Sequence, residues 1–262
     1  LRDENTLTEL KSLADFWNDV YEQNPVRFSS NVLKLLFVLN YAPNGMWAYL
    51  TSVYYLHNKN ADNTLEEEPF INFLKKTIGF IWANAVINPG LMSLRTPVYS
   101  EMVNIVNGSS VAFMDYQFEE ETVKSFFGNY YFNNYRPITK AMLTWWAFEN
   151  PEQQLLSTKE SFDIEHIYAR NRQEKEHGLS DQKSLESLGN KVLLESRINI
   201  RASDYKFSDK KMYYRGYTTG RGVVKERTNI SELVEIAEKQ DFTEADITAR
   251  NQAIVHRFVE FL

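Results

Sequence analysis

Phe162-Asp163-Ile164-Glu165-His166-Ile167-Tyr168 is the stretch on which the fold turns. Phe162, Ile164, His166 and Tyr168 fall on one face and Asp163 and Glu165 on the other, the two-residue period of an extended strand. A polar stretch follows from Asn171 to Lys183 and reads as a loop. Lys191–Glu195 then forms a second short strand, with Val192 and Leu194 on one face. Ser196 stands where a helix cap is favoured, and the helix it opens carries Asn199 and Ser203 four apart on one side. The order is strand, loop, strand, helix. Beyond it, Asn229-x-x-Glu232 and Thr243-x-x-Asp246 read as N-cap signatures of two closing helices. Ile247, Ile254, Val255 and Phe258 form a stripe on the last of these.

Upstream the texture changes at Asn150-Pro151 and the polar run to Thr158. Residues 1–150 read as an all-helical domain and 151–262 as a second domain, so the fold class is α+β, mainly α. The first helix shows Leu10, Leu13, Trp17, Val20 and Tyr21 at helical spacing. Further helices are expected near Asn31–Tyr41, Gly45–His57, Leu65–Ile87, Phe118–Phe127 and Ile138–Phe148. Asn60–Asn63 and Asn88–Gly90 read as breaks. The aromatic clusters Tyr130–Phe132 and Trp145–Trp146 resemble stacking platforms, but in a helical domain such clusters belong to the core.

The chain has 262 residues, 43% hydrophobic and 24% charged, the composition of a packed globular protein. It has no cysteine, which excludes a disulfide framework and a thiolate zinc site. No apolar run approaches the ~18 residues of a membrane span, and Leu1 opens no secretory signal. A cytoplasmic protein is expected, and the Leu start suggests a piece of a longer chain. The net charge is −6, yet Ser196–Arg227 holds nine basic residues against three acids (Asp204, Asp209, Glu226). A basic stretch in an acidic protein is a candidate phosphate footprint, with a merely solvated face as the alternative.

Three pieces carry the chemistry: Phe162–Tyr168, Leu188-Gly-Asn-Lys-Val-Leu-Leu194 and Ser196-Arg-Ile-Asn-Ile-Arg201. Hydrolysis of a phosphodiester needs a deprotonated water and positive charge at the leaving oxygen. A neutral imidazole takes a proton near pH 7, and a divalent cation neutralises the leaving oxygen. Magnesium prefers oxygen ligands and keeps several waters, so it tolerates few protein groups. His166 is the candidate base, and Glu165 and Asn199 are the candidate ligands of Mg²⁺ or Mn²⁺. Asp163, two residues before Glu165 on the same strand face, is the rival carboxylate. Asn190 is placed to fix the loop that carries His166. Read singly, each has a plainer role: His166 a hydrogen-bonded structural residue, Glu165 a strand-end charge, Asn190 and Asn199 turn or cap residues. His177 reads as solvent-facing. The acids Glu119–Glu121 read as a helix start stabilised by the dipole rather than as a second metal site.

These segments resemble HNH nucleases of the ββα-metal kind, including the HNH domain of CRISPR effector nucleases. There an acid–His pair is followed by an Asn-bearing strand and a second Asn nine residues on, as Asn190 and Asn199 stand here. They resemble more closely the C-terminal HNH domain of GmrSD-type DNA-restriction proteins. Glu165-His166-Ile167, Gly189-Asn190 with Leu193-Leu194, Asn199, and then Ser203, Lys206, Phe207, Lys210, Lys211 and Tyr213 carry that likeness. It spans roughly residues 155–262. One departure is Tyr168-Ala169, where that family usually has a proline. The resemblance implies Mg²⁺-dependent cleavage of double-stranded DNA in restriction of foreign, chemically modified DNA included. It implies phosphate contacts from Arg197, Arg201, Lys206, Lys210 and Lys211. It also implies a further NTPase-like domain, N-terminal in the same protein, whose Gln-Arg-rich motif is not found here. Two other classes stay open: a catalytically silent HNH fold that only binds DNA, and a helical protein-interaction module.

Overall fold

The computed structural model describes residues 4–203 and 206–262; Asp204, counted in the basic stretch, lies outside them. Thirteen α-helices and two short antiparallel ribbons form among the described residues, an α+β protein that is mainly α. The chain divides into two compact units. One holds residues 1–127 with 261–262, the other residues 128–260.

In the first unit, α1 (Glu4–Tyr21), α2 (Ser30–Leu39), α3 (Met46–Asn58), α4 (Glu67–Ile87) and α5 (Leu91–Val106) pack through the pairs α1–α3, α2–α4, α3–α5 and α4–α5. Ser29 caps α2 by accepting from the Val32 N–H. The core is aromatic: Phe16 stacks on Tyr55 at 4.3 Å, and Tyr54 on Phe73 at 4.0 Å. On α1 the buried line runs Ser12, Phe16 and Val20, while Leu10 and Tyr21 of the expected stripe are exposed. Helix α5 is absent from the sequence reading, which places a break at Asn88–Gly90 and no helix between it and Phe118. Pro97 sits inside α5, at the cost of one backbone hydrogen bond. Helix α6 (Glu120–Asn129) opens on Glu120 and Glu121, both paired with Lys124, as a helix start stabilised by acids would be.

The second unit begins at Gly128, earlier than the composition change near residue 150. Helix α7 (Pro137–Glu149) falls within it and packs on strand β2. Strand β1 (Phe162–His166) pairs antiparallel with β2 (Lys191–Glu195), placing Asp163 opposite Leu194, Glu165 opposite Val192 and His166 opposite Lys191. Helix α10 (Ser196–Ala202) crosses both strands, and α11 (Phe207–Arg215) packs on α10. Ser196 is the first residue of α10 rather than its cap. The carboxylate of Glu195, just before it, turns to the Thr228 hydroxyl (2.7 Å) and the Asn229 N–H (2.6 Å). The expected loop 171–183 contains α8 (Arg170–Glu176) and runs into α9 (Lys183–Glu186). A small hairpin, β3 (Tyr217–Thr218) with β4 (Val224–Lys225), follows α11.

Helices α12 (Ser231–Ile236) and α13 (Glu244–Phe261) close the unit. Asp246 accepts from both the Thr243 N–H and hydroxyl, the reciprocal half of the expected box. The Asn229 signature does not cap α12; Ile230 precedes that helix, and Glu232 faces inward to Arg250 and Trp146. Arg250 of α13 also donates to the carbonyls of Leu188, Gly189 and Lys191, fastening the entry of β2. Gly189 is required there, since a Cβ would stand 2.0 Å from the Ile247 carbonyl oxygen.

Candidate functional site

Strand alternation sends the side chains of β1 to two different surroundings. On one face lie Asp163 and Glu165, toward the helices that follow β2. Asn199, on α10, donates its amide nitrogen to Asp163 Oδ2 at 3.4 Å. Glu165 is buried, and its Oε1 accepts from Lys210 Nζ at 2.8 Å and from the Tyr214 hydroxyl at 2.5 Å. Lys210 donates as well to the His166 carbonyl at 2.6 Å. Burial, and then the charge of Glu165, hold the Tyr214 phenol well above its ordinary pKa, so it remains a donor.

His166, last residue of β1, takes the other face with its cross-strand partner Lys191. Its side chain is 10% exposed, and Nε2 lies 3.4 Å from Glu186 Oε1 without a hydrogen bond. Glu186 is the hub of this side. It accepts from Lys191 Nζ at 2.5 Å and from Arg170 at 2.6 Å, and Lys191 also donates to the Phe132 carbonyl. Burial would raise the Glu186 carboxyl, but His166 and Lys191 outweigh it and hold the pKa to about 2. Burial lowers the His166 pKa; Glu186 opposes that shift and Lys191 adds to it. The imidazole is therefore a neutral proton acceptor at pH 7. Lys191 is itself lowered, chiefly by burial.

Asn190, fully buried, holds the turn after β1. Its Oδ1 accepts from the Tyr168 N–H at 2.7 Å, its Nδ2 donates to the Tyr168 and Leu185 carbonyls at 3.0 Å, and its own carbonyl accepts from the Ile167 N–H at 2.9 Å. Those bonds fix where the backbone of Ile167 and Tyr168 leaves His166.

The structure thus brings Asn199 to Asp163 rather than to Glu165. Asp163 and Asn199 offer hard oxygens of the kind Mg²⁺ accepts, and a half-turn of the amide presents its oxygen instead of its nitrogen. Two such donors fit a cation that keeps most of its waters. Among the described residues no three His, Asp or Glu side chains converge as a metal cluster. Glu165 has one oxygen already engaged by an ammonium and a phenol, which makes it the poorer ligand of the two carboxylates.

Lys210 corrects a sequence expectation. It is 1% exposed and ion-paired with Glu165, so it is not a phosphate contact. The other cations of that set lie nearer solvent. Arg197 stands 3.4 Å from Glu160 and 3.5 Å from Glu226. Arg201 donates to the Arg197 carbonyl. The Lys206 side chain is 68% exposed beside Glu176, and Lys211 donates to the Lys239 carbonyl. Phe132 and Trp145 are buried core residues, and His177 is exposed. Glu186, Arg170, Lys191 and Tyr214 were not singled out from sequence. Only Lys191, opposite His166 by strand register, could have been.

Fold and site define a mainly helical α+β protein whose antiparallel ribbon, crossed by a helix, carries a buried histidine and an Asp–Asn pair. A family model described as GmrSD restriction endonucleases, C-terminal domain, matches residues 119–257, and the chain belongs to that family. The match takes in α6 and α7 upstream of the strands. No curated protein and no solved structure matches the chain. Among the described residues no helix is long and apolar enough to cross a membrane.

Proposed function

We propose that this chain is a metal-dependent DNA endonuclease built on a ββα-metal (HNH) core, β1–β2–α10, acting in restriction of foreign or modified DNA. Family membership supports the endonuclease class and DNA as substrate. The observation that carries the finer reading is α10 lying across the β1–β2 ribbon with Asn199 bonded back to Asp163.

His166 accepts the proton of the attacking water while the water oxygen bonds to phosphorus and one P–O ester bond breaks. Burial keeps the imidazole neutral for that task. Glu186 lies 3.4 Å from its Nε2 and favours the imidazolium as it forms. Asn190 sets the turn that presents the ring. Asp163 and Asn199 would hold Mg²⁺ or Mn²⁺, with Glu165 beside them, and a cation there would supply positive charge to the leaving oxygen. Arg197, Arg201, Lys206 and Lys211 hold backbone phosphates. The working protein is cytoplasmic and carries an NTPase-like domain N-terminal to these units. Incubation of supercoiled plasmid with the purified chain tests the reading. Nicked or linear DNA with Mg²⁺ or Mn²⁺ and none with EDTA is expected; EDTA-resistant cleavage, or binding without cleavage in every metal, contradicts it.

A further inference from the structure

The β3–β4 hairpin is a short ribbon with an exposed, basic surface. Its turn is closed by Thr219 N–H to the Val223 carbonyl (2.9 Å), Gly222 N–H to the Thr219 carbonyl (2.8 Å) and Val223 N–H to the Thr219 hydroxyl (3.1 Å). Gly222 takes the positive φ of +77° that the turn needs. Arg221 stands between two glycines at the tip and is exposed. Val223 and Val224 are 50% and 70% exposed. Among the described residues Arg221, Lys225 and Arg227 make no ion pair, and the one acid of the segment, Glu226, turns to Arg197. Unpaired cations flanking exposed valines, in a chain of net −6, suit a polyanion that also offers apolar edges.

The ribbon's root is fixed to the site. Gly216, at φ +75°, lies so close to its partner strand that a Cβ would be 2.6 Å from the Lys225 carbonyl oxygen. Thr228 N–H bonds to the Tyr214 carbonyl (2.9 Å). On one side of the root, Tyr214 and Lys210 bind Glu165; on the other, Thr228 binds Glu195, which precedes α10. A ribbon held at both ends to β1 and β2 keeps a set distance from His166 and Asp163.

We propose that this hairpin is the duplex-DNA grip of the protein, entering a groove as two-stranded ribbons do. Arg221 leads, Lys225 and Arg227 meet phosphates, and Val223 and Val224 rest on sugar and base edges. The inference rests on the reading of DNA as substrate but not on cleavage. The test is a salt titration of affinity for a labelled duplex, using the full chain. The Lys225→Ala/Arg227→Ala variant is expected to bind more weakly, with the slope of log affinity against log salt flatter by roughly 0.9 per lost phosphate contact, about 1.8 for the pair. Val223→Ser/Val224→Ser is expected to bind more weakly at unchanged slope, because apolar contacts release no counterions. Removing two exposed lysines elsewhere, Lys11→Ala/Lys75→Ala, is the charge-matched control and is expected to bind as wild type. A Lys225→Ala/Arg227→Ala variant with wild-type slope, or either hairpin variant binding as tightly as the control, overturns the proposal, as does a wild-type chain with no affinity for duplex DNA. Plasmid cleavage is scored in parallel. Hairpin-dependent binding without cleavage sinks the nuclease reading alone, and cleavage with hairpin-independent binding sinks the grip alone.

Discussion

Lys210 Nζ lies 2.8 Å from Glu165 Oε1 with both side chains out of solvent, at 1% and 6% exposure. A buried charge pair of this kind contributes little net stability when whole, but breaking it leaves one charge stranded. Lys210→Met is therefore expected to destabilise the protein by about 3–5 kcal/mol. The double variant Glu165→Gln/Lys210→Met should recover much of that loss. Urea unfolding of the wild type, both single variants and the double variant measures the coupling. Strictly additive losses would show that the two side chains do not meet.

The division of labour between the two carboxylates is open to a metal titration. Asp163→Asn and Asn199→Ala are each expected to raise the Mg²⁺ concentration needed for half-maximal plasmid nicking, since a small ligand set has no spare donor. Glu165→Gln should act first on stability. A Mg²⁺ requirement that moves with Glu165→Gln and ignores Asp163→Asn would hand the ligand role back to Glu165.

Acid should destabilise the second unit in two stages. The unfolded chain protonates His166 near its ordinary value of about 6.5, whereas the buried ring takes a proton only at lower pH. Its contribution is complete above that ordinary value and declines as pH falls below it. Glu186 is held to about 2 against an ordinary value of about 4.3. Its contribution is complete above the ordinary value and is lost as pH falls toward the lower one. The urea midpoint followed against pH checks this: His166→Gln should flatten the first decline and Glu186→Gln the second. A wild-type midpoint that stays level across both windows would contradict the burial of the pair.

How much of this was legible in the sequence follows from the range of the forces involved. β2 falls at Lys191–Glu195 as its alternation implies, and β1 ends at His166, two residues short of the alternating run. The apolar stretches between polar turns also located α2, α3, α4 and α7 to within two residues; α3 buries one stripe, whereas α4 and α7 are buried over continuous runs. The same reading missed α5, which follows the Asn88–Gly90 break, holds Pro97 within it and packs on α3, and the two-residue strands of the hairpin, too short to show a period. At the site, motif spacing singled out Asn190 and Asn199, and the structure ties the first to the turn after β1 and the second to Asp163. Glu186 carries no such signal, because nothing local distinguishes it from the other acids between β1 and β2; its role comes from Lys191 and His166 folding onto it. Lys210 was read as a surface cation for the converse reason. Its partner is 45 residues away along the chain, and charge by itself says outside.

The most direct test of the account is plasmid nicking by His166→Ala beside wild type, in the same metal, with unfolding midpoint and duplex affinity measured on the same samples. Removal of a general base should cost at least ~10²–10⁴-fold in cleavage rate, while DNA affinity stays near wild type and the protein remains folded. Cleavage at the wild-type rate by the folded variant would contradict the account, because the proton of the attacking water would then go elsewhere.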